Sequence, residues 1–306
     1  MAAYAIRRIL AMVPLLWAVA TVTFILMHLV PGGPFEANER PLPDETLANL
    51  EAKYGLDESL GNQYVRFLGN LVQLDLGHSF EQDRPVSEVL TERWRPTVEL
   101  GLYAFGFAMV VGIIFGVITA VKQNKWEDYA GVAFTTIGVA IPNFVMAAFL
   151  VIVFSLGLGW FDVIGWDPLD YRKVVLPSVA LGLLPASYLA RIMRASMLEI
   201  LQQDYVRTAR AKGLVEYKVV MGHVVKNAMI PVLTVAGPIF AGLITGSFII
   251  ELAFQIPGIG TLFVTSILTR DYGVIMGTTL LYAAAIAVIN LVVDLTYGVV
   301  DPRIRY

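Results

Sequence analysis

The sequence predicts an all-α polytopic membrane protein with six transmembrane helices, and three observations carry that prediction. Of its 306 residues, 57% are hydrophobic and only 15% are charged, against about 45–50% and about 25% in soluble domains. The excess gathers in runs of about 20 residues, the helix length that crosses a bilayer core. These runs, 102–121 among them, lack the polar–apolar alternation of barrel strands, and lipid tolerates no spanning structure but helix or barrel. A mean hydropathy of +0.68 argues against a soluble core or a disordered chain. The net charge of −3 offers nucleic acid no basic surface, and the lack of cysteine excludes disulfides, thiolate metal sites and cysteine nucleophiles.

In chain order the spans fall at about 9–30, 99–121, 129–158, 174–195, 231–253 and 274–300. The first follows Arg7 and Arg8, yet it is longer than the apolar stretch of a signal peptide. It runs into Pro31-Gly-Gly-Pro34 with no small-residue cleavage pattern, so it reads as an uncleaved anchor. Basic residues set the orientation. With both termini in the cytoplasm, 13 of the 22 basic residues lie inside, and only Arg172, Lys173 and Arg270 oppose this in short outer loops. Trp94, Trp126, Trp160 and Trp166 fall at or near span ends, as interfacial anchors do.

Two segments do not belong to the membrane. Residues 31–98 carry 12 acidic and 6 basic residues and show helical spacing at Leu47, Leu50 and Tyr54 and at Tyr64, Phe67 and Leu71. That spacing predicts two short helices broken near Gly55 and Gly61. The segment suits a cap over the outer span ends and equally a docking surface for an external protein; the two are compatible. Residues 196–230 form the large inner segment. Span four is expected to continue to a turn near Asp204, followed by a short helix stopped at Gly213 and another from Glu216 back to Pro231. Arg207, Arg210 and Lys212 hold that short helix on the membrane face. On composition alone such residues are topology determinants or lipid contacts.

The order of residues adds more. Asp204-Tyr-Val-Arg-Thr-Ala-Arg-Ala-Lys-Gly-Leu214, followed by His223-Val-Val-Lys-Asn-Ala-Met-Ile-Pro231, resembles the cytoplasmic EAA loop of binding-protein-dependent ABC importer permeases. The version is that of the oligopeptide, dipeptide and nickel branch (OppB/DppB type), with Arg207-Thr-Ala209 where the family's name implies Glu-Ala-Ala. Tyr4-Ala-Ile-Arg-Arg-Ile-Leu10, His28-Leu-Val-Pro-Gly-Gly-Pro34, Asp75-Leu-Gly-His-Ser79, the stretch from Ile249 to Gly260, Arg270-Asp-Tyr272 and the tail from Tyr297 to Tyr306 fit the same family in the same order. The resemblance implies an ABC type I importer permease (MetI-like) fold in the bacterial inner membrane. It also implies a second homologous permease (OppC/DppC type), two cytoplasmic ATPases carrying ATP and magnesium, and an extracytoplasmic substrate-binding protein. It makes Tyr205, Arg207, Thr208, Ala209, Arg210, Ala211, Lys212, Gly213 and Leu214 the helix that couples to the ATPase. Span five follows from that loop, so Pro231, Gly237, Gly242, Gly246 and Glu251 become candidates for the pathway or gate. Peptides are the expected cargo, with nickel or its chelates as the alternative.

The chain supplies no ATPase chemistry of its own. A P-loop needs Gly-Lys followed by Ser or Thr, and no lysine here follows a glycine. His28, His78 and His223 are dispersed over the topology, and neither H-E-x-x-H nor Gly-x-Ser-x-Gly occurs, so no enzyme, resident cofactor or metal is expected. An ion-coupled transporter is the rival class, with Glu99, Glu251 and the intramembrane Asp294 as its candidate carboxylates. Glycines recur at 101, 106, 112 and 116 and at 237, 242 and 246, and prolines at 142, 177, 185 and 238, suiting close helix packing and bends. The organisation expected is therefore a transmembrane helix at 1–30, an external (periplasmic) segment at 31–98, and a five-helix core at 99–306 with its coupling loop at 196–230.

Overall fold

The computed structural model describes residues 2–35 and 43–300, and the tail at 301–306 that fits the family lies outside them. Thirteen α-helices follow in order among these residues: α1 Ala2–Leu29, α2 Asp44–Tyr54, α3 Leu60–Val72, α4 Val86–Val121, α5 Trp126–Ala140, α6 Asn143–Leu150, α7 Tyr171–Leu201, α8 Asp204–Ala211, α9 Glu216–Val219, α10 Lys226–Ile244, α11 Phe248–Ala253, α12 Ile259–Thr269 and α13 Tyr272–Val300. Val151–Gly157 and Val220–Val225 wind as π-helix. Five helical stretches are long and apolar enough to cross a membrane: Tyr4–Leu29, Val86–Val121, Tyr171–Leu201, Glu216–Ile244 and Tyr272–Leu295. Trp126–Ala140 with Asn143–Gly157 gives a sixth as a pair bent by 110°.

The span limits differ from those read off hydropathy, each for a physical reason. The third span is broken rather than continuous over 129–158. Pro142 lacks an N–H and pushes Ile141 to an extended φ of −89° and ψ of 122°. The second begins at Val86, inside what hydropathy assigns to the external segment, and its 36 residues extend about 54 Å, well beyond a core of about 30 Å. The fifth stops at Ile244, before 253, because the chain turns at Gly246 with φ +87°. The short apolar helix α12 has no counterpart in the predicted spans. Gly61 sits inside α3, whose N-cap is Ser59, so only Gly55 ends a helix there.

The described residues form two compact units, those within 2–95 with 257–291 and those within 96–256 with 292–300. In the first, Ala20, Phe24 and Met27 of α1 pack with Ile275, Met276 and Leu280 of α13 and with Tyr64, Phe67 and Leu71 of α3. The Phe24 ring lies 5.2 Å from Tyr64 and 6.3 Å from Phe67, and the hydroxyls of Thr21 and Tyr64 meet at 2.6 Å. The helix predicted from the 64/67/71 spacing is present as α3 and packs along α1. The Ser79 hydroxyl donates to the buried Asp271 carboxylate, which also accepts the Glu81 N–H at 3.3 Å. Two family-like strings nearly two hundred residues apart meet there.

In the second unit α7 is the central element, with fifteen buried residues and with α10, α5 and α6 against it. Leu100 and Ala104 of α4, Leu176 to Leu183 of α7, and Ile250, Phe254 and Ile256 make one cluster. Ala186 to Met197 of α7, with Val206, Val219, Val224, Ala228 and Val232, make the other.

Candidate coupling surface and buried charges

The predicted coupling segment folds as a hairpin of short helices at the end of α7. Gln202 and Gln203 make the turn, and α8 starts at Asp204, whose charge suits the positive end of a helix. Gly213, at φ +78°, ends it, its N–H bonding to the Arg210 carbonyl at 2.9 Å. Nothing lies within 4 Å of where a Cβ would sit, so the left-handed backbone itself calls for glycine there.

The helix is amphipathic. Val206 and Ala209 are buried against Met193, Met197, Val219 and Val224. Tyr205, Arg207, Thr208, Arg210, Ala211, Lys212, Gly213 and Leu214 are exposed. Of the nine residues expected on a docking face, Ala209 therefore points into its own chain. Val206, absent from that set, is the anchor, which the i, i+3 apolar spacing of 206 and 209 signals.

Two polar contacts fix the hairpin further. Arg210 donates Nη2–H to Glu216 Oε1 at 2.7 Å and Nε–H to Oε2 at 3.1 Å, and Asn227 Nδ2 donates to the Tyr205 hydroxyl at 3.1 Å. Hydrogen bonding to Glu216 raises the Arg210 pKa above its ordinary value, so the guanidinium stays charged. Among the described residues Arg207 reaches only Asp204, at 3.6 Å, with both side chains well exposed. Arg207, Lys212 and Leu214 are thus presented outward, while Arg210 closes the hairpin.

A second charged pair lies beside the start of α5. Arg194 of α7 grips Asp128 with Nε to Oδ1 and Nη2 to Oδ2, both at 2.9 Å, and the Asn124 N–H bonds to Oδ2 at 3.0 Å. One turn away, Arg191 Nη2 donates to the Thr135 carbonyl at 2.8 Å. Arg194 is one of the 13 inside basic residues that set the orientation, and sequence reasoning gave it no other role; it missed Asp128, which lies just outside the span drawn from 129. An acid at that edge, with arginines in the facing span, was the available signal.

The family model described as binding-protein-dependent transport system inner membrane component matches residues 112–306, and the N-terminal model of such components matches residues 1–101. The chain belongs to this family. The permease is 42% identical to the oligopeptide transport system permease protein OppB of Salmonella typhimurium, over 99% of each chain. It is 40% identical to OppB of Haemophilus influenzae over 98% of each, and 42% identical to the dipeptide transport system permease protein DppB of Bacillus subtilis over 100% of this chain and 98% of that one. Inward-facing structures of the MetNI methionine ABC transporter share the fold, with a TM-score of 0.58 at 18% identity over 70% of this chain and 96% of that one. The MetI-like fold expected from the resemblance is the fold of this permease.

The remaining candidates divide. In the permease Glu251 is fully buried, and Thr97 Oγ1 donates to its Oε1 at 2.9 Å. Gly246 lies against the same carboxylate; a Cβ there would come within 2.7 Å of Oε1. Thr97 was not anticipated. Asp294 is half-buried on α13, and Gly237 abuts Val293 of the same helix. Pro231 and Gly242 are exposed on α10, and nothing lies within 4 Å of a Cβ on Gly242. Trp166 Nε1 donates to Glu99 Oε2 at 2.9 Å.

Proposed function

We propose that this permease is one of two homologous membrane subunits of a peptide-importing ABC transporter, forming half of the translocation pathway. Two ATPases on the cytoplasmic side and an external binding protein that delivers cargo complete the machine. Both termini and the 196–230 loop are cytoplasmic, and 31–98 is external. The observation that carries the reading is α8: an outward face of Arg207, Lys212 and Leu214 on a helix bolted to its own chain by Val206 and Ala209. Full-length similarity to oligopeptide and dipeptide permeases supports the cargo class.

ATP binding shifts the permease between states only through contacts that differ between them. The exposed face of α8 offers such contacts, and burial of Val206 and Ala209 on α7 and the α9–α10 stretch transmits the displacement to the spans. In α10, Pro231 omits one ladder bond, and beyond it lie Gly237, Gly242 and the turn at Gly246 beside Glu251, where the span is best placed to bend. The buried Glu251 and the half-buried Asp294 serve that movement as polar fixtures.

The test is uptake of a labelled peptide by cells carrying Arg207→Glu with Lys212→Glu, alongside ATPase activity of the purified complex. Uptake falls at least tenfold while the chain still inserts and ATP hydrolysis persists. Unchanged uptake refutes the assignment of α8, and a complex that purifies without a second permease or an ATPase refutes the importer reading altogether.

A further inference from the structure

We infer that the apolar cavity between α1, α12 and the start of α13 holds one phospholipid, its phosphate on Arg270 and an acyl chain between the helices. The cavity measures about 380 Å³, and Leu26, Met27, Val30, Phe263, Ile267 and Ile275 supply most of its walls. Arg270 is also part of the lining. The cavity lies where α1 ends at Leu29 and α13 begins at Tyr272, the level at which headgroups meet acyl chains. Its placement in the outer leaflet rests on the orientation proposed above.

Arg270 itself needs an explanation. It is one of three basic residues that oppose the orientation, and Arg172, another of them, reaches Asp162 at 3.5 Å. Among the described residues no carboxylate meets Arg270, whose guanidinium makes a single bond, Nη1 to the Gly33 carbonyl at 3.3 Å. Its backbone is left-handed, with φ 55° and ψ 36° at the end of α12, a position that glycine or asparagine fills without strain. A long cation in a strained position points to a use for its side chain. Guanidinium forks bind phosphate through paired N–H donors. A soluble anion satisfies the fork and leaves the apolar walls uncovered. A phospholipid satisfies both.

The experiment is lipid counting by mass spectrometry on the transporter complex, purified from its own membrane and washed in mild detergent. Wild type retains one more tightly bound phospholipid per copy of this chain than Arg270→Gln or Ile275→Trp, the second of which fills the cavity with Arg270 intact. Inorganic phosphate leaves the wild-type count unchanged. Equal counts in all three proteins overturn the inference, as does displacement by phosphate or retention by Ile275→Trp. If Arg270→Gln fails to assemble, Ile275→Trp decides. The count needs no cargo or uptake, so it stands or falls independently of the peptide assignment.

Discussion

Asp128 and Arg194 meet fork on fork, two parallel bonds of 2.9 Å joining the first turn of α5 to the last third of α7. The Asp128 side chain is 5% exposed and that of Arg194 is 29%, so the pair is shielded from most of the screening that weakens surface ion pairs. It ties the α4–α5 turn to the helix that leads into α8.

Arg194→Gln leaves a buried carboxylate without its partner. Breaking a fully buried pair costs about 3–5 kcal/mol, and the partial exposure of Arg194 brings the expected loss to about 2–3 kcal/mol. Asp128→Asn with Arg194→Gln is expected to be more stable than the sum of the single losses by about 1–2 kcal/mol. Melting curves of the detergent-solubilised protein measure the cycle; strictly additive losses would show that the two groups are not coupled.

The glycines of α4 are not equivalent. A Cβ on Gly112 would sit 2.8 Å from the Ala186 carbonyl and from Leu189 Cβ, and one on Gly101 would sit 2.6 Å from the Leu243 carbonyl, whereas nothing lies within 4 Å at Gly106. Gly112→Ala and Gly101→Ala force helices apart, and such overpacking costs about 1–3 kcal/mol. Gly106→Ala has no such clash in this chain. Membrane-inserted yield and melting temperature should separate the first two from the third, and equal behaviour of all three would refute this packing.

Arg210 and Glu216 form an internal clamp, with side chains 41% and 56% exposed, worth about 0.2–1 kcal/mol to stability. Its consequence lies in loop geometry. Arg210→Glu sets like charges against each other and should lower coupled uptake several-fold, while Arg210→Glu with Glu216→Arg should restore most of it. No recovery in the swap would mean that Arg210 acts on a partner rather than on its own loop.

The sequence by itself determined a good deal. Hydropathy runs made this a helical membrane protein, and ordered motifs from Tyr4 to Tyr272 placed it in its family. Gly213 was readable as the stop of α8 because capping is a local property; the 206/209 spacing is equally local, yet Ala209 was read onto the outward face and Val206 was passed over. Only the tertiary structure decided which of these residues meet. Asp128 with Arg194, Thr97 with Glu251 and Ser79 with Asp271 are joined across 66, 154 and 192 positions, and no local periodicity encodes such pairings. The end of α10 at Ile244 was equally hidden, since apolar residues read alike in hydropathy whether they face lipid, a neighbouring helix or a break in the span; the bend at Ile141 was signalled by Pro142, though hydropathy ran straight through it. Hydropathy reports that a side chain shuns water; packing alone decides what it touches instead.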